Sequence, residues 1–177
     1  MAPGMNGASE ISLAALVESL LFVAGEPEPI GRLSAALAVS PAQVEEALMA
    51  LAASYEGRGI RLQRHGDRVQ LVTAPEAAAA IERFLGVEAD SRLSQAALET
   101  LAVIAYRQPL TRAQIEAVRG VNCDGVLRTL LARGLIEEVG RLEQAGRPIL
   151  YGTTFAFLQH FGLASPSDLP PLNGKGV

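Results

Sequence analysis

The sequence predicts a mainly α fold with small β-hairpins, an α+β class built twice along one chain. Three observations carry this. An apolar helix, a proline break and a second helix recur at a spacing of about 80 residues. Each recurrence leads into a third amphipathic segment and then into strand-like stretches. The composition is 49% hydrophobic with 5% aromatic residues and no Trp, and Ala and Leu supply most of it. Such content favours helices and leaves more apolar surface than two small cores easily hide, which implies a partner or self-association.

Taken in order, LVESLLFVAGEPEPIGRL from Leu16 matches ALETLAVIAYRQPLTRAQI from Ala97 in layout. Apolar residues recur every three or four positions, the mark of a helix with one buried face. Pro29 and Pro109 stop the first helix of each copy. Ser40-Pro41-Ala42-Gln43 forms a capping box with proline at the first helical position and opens the third helix of the first copy. Thr111-Arg112-Ala113-Gln114 has the same form and opens the second helix of the second copy, which runs out near Gly120; Asn122 starts its third. Val44, Ala47, Leu48 and Leu51 stripe the first copy's third helix; Val126, Leu127, Leu130 and Leu131 stripe the second copy's.

Strand patterns follow. IRLQRHGDRVQLVT, from Ile60, alternates Ile60/Leu62 and Val69/Leu71 around His65-Gly66-Asp67 and reads as a hairpin with an exposed turn. LIEEVGRLEQAGRPILYGTT, from Leu135, is a looser hairpin, whose second strand either lies at an edge or begins at Pro148, since proline cannot donate to a ladder. PEAAAAIERFLG from Pro75 and TFAFLQHFG from Thr154 close the copies as helices. Three helices, a hairpin wing and a trailing helix make a winged helix, so the chain reads as tandem winged-helix domains. With 177 residues there is room for two domains, at 10–90 and 91–165, joined around 87–92, with loose Gly/Pro-rich tails at 1–9 and 166–177.

The chemistry of the residues excludes several classes. One cysteine, Cys123, permits no internal disulfide and fits a reducing cytoplasm. The 15 basic residues are all Arg except Lys175, so no P-loop lysine is available. His65 and His160 match no metal spacing, and nothing local points to catalysis, cofactor or metal. The N-terminus lacks the basic and apolar regions of a secretory signal, and no apolar run nears the ~20 residues of a membrane helix. These readings predict a soluble, cytoplasmic, non-enzymatic protein.

A helix-turn-helix invites a DNA reading, and charge weighs against it. Residues 10–90 carry a net charge of −6 and residues 91–177 a net +2, for −4 overall. The first copy's third helix, PAQVEEALMALAAS, holds Glu45 and Glu46 and no base, whereas duplex binding draws its affinity from neutralised phosphates. In the second copy Arg107, Arg112, Arg119, Arg128 and Arg133 surround the helix-turn-helix, so weak or indirect DNA contact stays open there. The alternative reading is a winged-helix transcription regulator.

LETLAVIAYRQPLTRAQIEAVRGVNCDGVLRTLLARGLIEEVGR, followed by GRPILYGTT, FLQHFGL and DLPPL, closely resembles the bacterial segregation and condensation protein B family. The resemblance spans about residues 11–172; the first copy shares it mainly in layout, from VESLLFVAGEP onward. Cys123 stands where a small hydroxyl residue is expected. The resemblance implies a non-enzymatic accessory subunit of the bacterial condensin-like complex, acting in chromosome condensation and segregation. It implies a homodimer formed largely through the N-terminal copies and bound to the kleisin, segregation and condensation protein A. The kleisin in turn bridges the SMC ATPase. Arg107, Gln108, Arg112, Arg147 and Tyr151 are the candidate kleisin contacts, and Leu20, Leu21 and Phe22 of the first helix the candidate dimer contacts.

Overall fold

The computed structural model describes residues 11–86 and 93–171. The expected linker at 87–92, the first tail and residues 172–177 lie outside them. The chain divides into two compact units, Met1–Leu62 with Gly66–Val72, and Gln63–His65 with Thr73–Val177.

In the first unit, helix α1 (Leu13–Ala24) begins where the Ser12 hydroxyl accepts from the Ala15 N–H at 3.2 Å. It ends at Gly25, whose φ of 65° a residue with a Cβ adopts only at a cost. Strand β1 (Glu28–Pro29) and α2 (Ile30–Leu37) follow. The predicted capping box opens α3 (Pro41–Ser54): the Gln43 N–H donates to Ser40 Oγ at 3.3 Å, and the Ser40 N–H to Gln43 Oε1 at 2.9 Å. Strands β2 (Ile60–His65) and β3 (Arg68–Thr73) make the predicted hairpin, and the sheet order is β1-β3-β2. The core joins Val17 and Leu21 of α1 to Ile30, Leu33, Val44, Leu48, Leu51 and Val69. All four predicted stripe residues of α3 are buried.

The second unit repeats the plan with α5 (Gln95–Arg107), β4 (Leu110–Thr111), α6 (Arg112–Arg119), α7 (Asp124–Ala132), β5 (Ile136–Arg141), β6 (Ile149–Thr153) and α8 (Phe155–Phe161). Its sheet order is β4-β6-β5. Leu101, Ile104, Ile115, Leu127, Leu130, Ile136 and Leu158 form the core. Val126 and Leu131, predicted for the same stripe, pack at its margin.

Strand β6 begins right after Pro148, one of the two placements expected for it, and is the central strand: the proline sits outside the ladder, so its missing N–H costs nothing there. Other sequence expectations change. Strands β1 and β4 went unseen, because two-residue strands beside proline breaks carry no alternation. In the first hairpin Val69 is buried but Ile60 is exposed, and Gln63 and Gln70 are buried instead. The predicted first domain also loses its closing helix. Residues 75–77 form a 3₁₀ turn leading into α4 (Ala78–Leu85), and both group with the second unit. There the Gln63 side-chain amide donates to Leu163 O at 2.8 Å and the Arg64 N–H to Ala164 O at 2.7 Å. His65, expected as an exposed turn residue, is half-buried, its ring centroid 5.5 Å from that of Phe155.

A loose tail from residue 166 does not hold for 166–171. Asp168 accepts from the Ala164 and Ser165 N–H groups at 3.0 and 2.8 Å, closing a 3₁₀ turn at Pro166–Asp168. Leu169 packs on the core, and the Tyr106 hydroxyl donates to Pro170 O at 2.6 Å.

Candidate protein-docking surfaces

The helix-turn-helix of the second unit is built by two caps. The Thr111 hydroxyl accepts from the Gln114 N–H at 3.3 Å and the Gln114 Oε1 accepts from the Thr111 N–H at 2.8 Å, which sets Arg112 in the first turn of α6. Asp124 occupies the first turn of α7, where a carboxylate suits the positive helix end. Arg112 Nη1 lies 3.1 Å from Asp124 Oδ1, and Arg128 Nη2 binds the other carboxylate oxygen. Glu116 stands 4.0 Å from Arg112 Nε. One acid thus holds both arginines at the position where a reading helix would meet phosphate. Cys123 is 1% exposed, its Sγ 3.5 Å from Val121 O, and its N–H donates to Glu116 Oε1 at 3.0 Å. It is a packing residue at the helix start.

The five candidate kleisin contacts do not form one surface. Gln108 turns inward and ties the end of α5 to β6: its Oε1 accepts from the Thr153 N–H at 2.6 Å and its Nε2 donates to Thr153 Oγ1 at 3.0 Å. It is a structural bracket, because Thr153 is fully buried and needs those partners. Arg147 sits in the β5–β6 loop and binds Glu143 at 2.9 Å, so its charge is shared locally. Tyr151 is half-buried against the core. Burial pushes its hydroxyl pKa up, with the nearby Glu138 adding to the shift and Arg112 opposing it. Arg112, Asp124, Glu138 and Tyr151 therefore share one face of α6, α7 and the sheet.

Arg107 lies elsewhere. It joins Glu99, Ala102, Val103, Tyr106, Val118 and Arg119 around a groove of about 450 Å³ between α5 and α6. Its floor is apolar. Arg119 binds Glu99 on one rim, and the hydrogen bonds from Gln95 and Arg119 hold the Glu99 carboxyl below its ordinary pKa. Sequence reading missed this groove. The signal was present as an outward stripe on α5 at 99, 102, 103, 106 and 107, opposite the core stripe at 97, 101, 104 and 105.

The dimer candidates also divide. Leu21 is 2% exposed in the core of its own unit, and Leu20 packs half-buried beside it. Neither offers the open surface expected, because Leu21 is enclosed in the core and Leu20 packs against it. Phe22 is 77% exposed; Val23 at 83% and Leu16 share its outward side. One turn of helix decides which of three adjacent apolar residues is inside. Among the described residues no helix is long and apolar enough to cross a membrane.

The family model for the segregation and condensation complex subunit ScpB matches residues 15–172. Segregation and condensation protein B of Moorella thermoacetica is 51% identical over 163 residues, covering 91% of this chain and 83% of that protein. The crystal structure of ScpB from Mycobacterium tuberculosis is 41% identical, covering 90% of this chain and 99% of that one, with a TM-score of 0.41. A crystal structure of a dimer of an ScpB N-terminal domain complexed with a ScpA peptide is 31% identical, covering 40% of this chain and 91% of that one, with a TM-score of 0.39. With the family matched over nearly the whole described chain, the protein belongs to the ScpB family of segregation and condensation complex subunits.

Proposed function

We propose that the chain is a non-enzymatic accessory subunit of a condensin-like SMC–kleisin complex, working in the cytoplasm on the nucleoid. Two copies pair through the first unit, with the Leu16, Phe22 and Val23 side of α1 as the self-association surface. The pair holds the kleisin, segregation and condensation protein A, on the face of Arg112, Tyr151, Asp124 and Glu138. The SMC ATPase is reached through the kleisin, and DNA only indirectly.

Family membership supports this reading, and one observation of the geometry carries it. In both helix-turn-helices the position that would read DNA holds carboxylates: Glu45 and Glu46 in α3, and in α7 an aspartate that binds both nearby arginines. The α3 carboxylates repel phosphate, and in α7 the aspartate takes up arginine charge that a duplex would otherwise neutralise; both arrangements suit protein.

The test is co-purification of the full chain with its kleisin, followed by mass measurement in solution. A homodimer carrying the kleisin is expected, with at least ~1,200 Å² buried per interface. A monomer that ignores the kleisin sinks the reading.

A further inference from the structure

Helix α4 is the anomaly of the fold. Its eight residues, AAAIERFL, carry Ile81, Phe84 and Leu85 on one stripe, yet not one residue of the helix is buried. Phe84 is 89% exposed and Leu85 62%. Isolated helices shorter than ~12–15 residues are marginal in water, so this one requires a surface to pack on. The same unit presents a surface without an occupant, the α5–α6 groove floored by Ala102, Val103, Tyr106 and Val118. Charge matches as well. Arg107 on the groove's rim and Glu82 beside the α4 stripe each lack an ion-pair partner among the described residues.

We propose that α4 of one copy seats in the α5–α6 groove of a second copy. Ile81, Phe84 and Leu85 meet the apolar floor, and Glu82 meets Arg107. A two-fold axis makes the contact twice, so each copy both gives a helix and receives one. The inference goes beyond the α1 pairing: it adds a contact between copies on the second unit and requires that the kleisin leave the α5–α6 groove free.

Cross-linking between two differently marked full-length chains tests it. Both chains carry Cys123→Ala; one adds Leu85→Cys and the other Ala102→Cys, and a short bismaleimide is applied to their mixture. A covalent heterodimer is expected. Its yield should fall three- to tenfold, roughly, with Arg107→Glu and recover when Glu82→Arg is added in the other chain. Phe84→Asp should abolish it, with far-ultraviolet circular dichroism unchanged. Absence of the heterodimer overturns the proposal, as does a heterodimer indifferent to both Arg107→Glu and Phe84→Asp. A chain carrying both cysteines that cross-links only within itself points to self-docking and overturns it too. So does an Ala102→Cys chain that, in the kleisin complex, cross-links to the kleisin instead.

Discussion

Leu21 and Phe22 are neighbours with similar side chains, and they do opposite work. Leu21 fills the first core, so Leu21→Ala should cost about 2–5 kcal/mol, read as a lowered denaturant midpoint. Phe22→Asp with Val23→Asp alters a face that its own chain leaves exposed. It should leave that midpoint almost unchanged and shift sedimentation from dimer to monomer. Gln108 is a second case in which the side chain serves its own unit, bonded to Thr153. Gln108→Ala leaves the buried Thr153 N–H unpaired, so a loss of about 1–3 kcal/mol is expected in denaturant unfolding, with kleisin binding retained at temperatures where the variant is folded. Tyr55 adds a pH signature. The residue is 3% exposed and its hydroxyl donates to Glu18 Oε1 at 2.6 Å; burial together with that carboxylate pushes its pKa up to about 12. A pKa raised by folding means the stabilisation is complete below pH 10 and is lost as pH rises toward 12. Tyr55→Phe should flatten that limb of the stability curve, measured by chemical unfolding at stepped alkaline pH.

Helix caps and stripes are the most legible elements because both are local. Ser40 and Thr111 make their boxes with residues three positions away, and no distant contact is needed to form them. Strands β1 and β4 escape such reading, since each exists only as the partner of a strand some 40 residues later: Glu28 opposite Val69, Leu110 opposite Tyr151. Helix α7 shows a site that local reading half-found. Arg128 and Asp124 are four apart and pair along one helix face, but Arg112 joins them only through the turn between α6 and α7. Asp124→Ala releases both arginines. Duplex binding should then rise above that of the unaltered chain in low-salt fluorescence anisotropy, and fall with log salt at a slope of about −0.9 per phosphate contact. No gain in affinity would show that the two arginines face away from any duplex.

For the whole molecule, charge argues against a duplex as the main partner before any residue is placed. A first half at −6 and a second at +2 leave little for a phosphate backbone. The α+β class, the tandem plan, the capping boxes and the family were all readable in the chain, because period, proline breaks and turn residues act within a few positions of one another. The division of the candidate surfaces was not. Whether Gln108 faces a partner or Thr153, whether Leu21 or Phe22 meets solvent, and whether α4 is covered depend on contacts between segments far apart in sequence. Those contacts form only when the helices pack, and packing decides burial through which side of each helix faces the core.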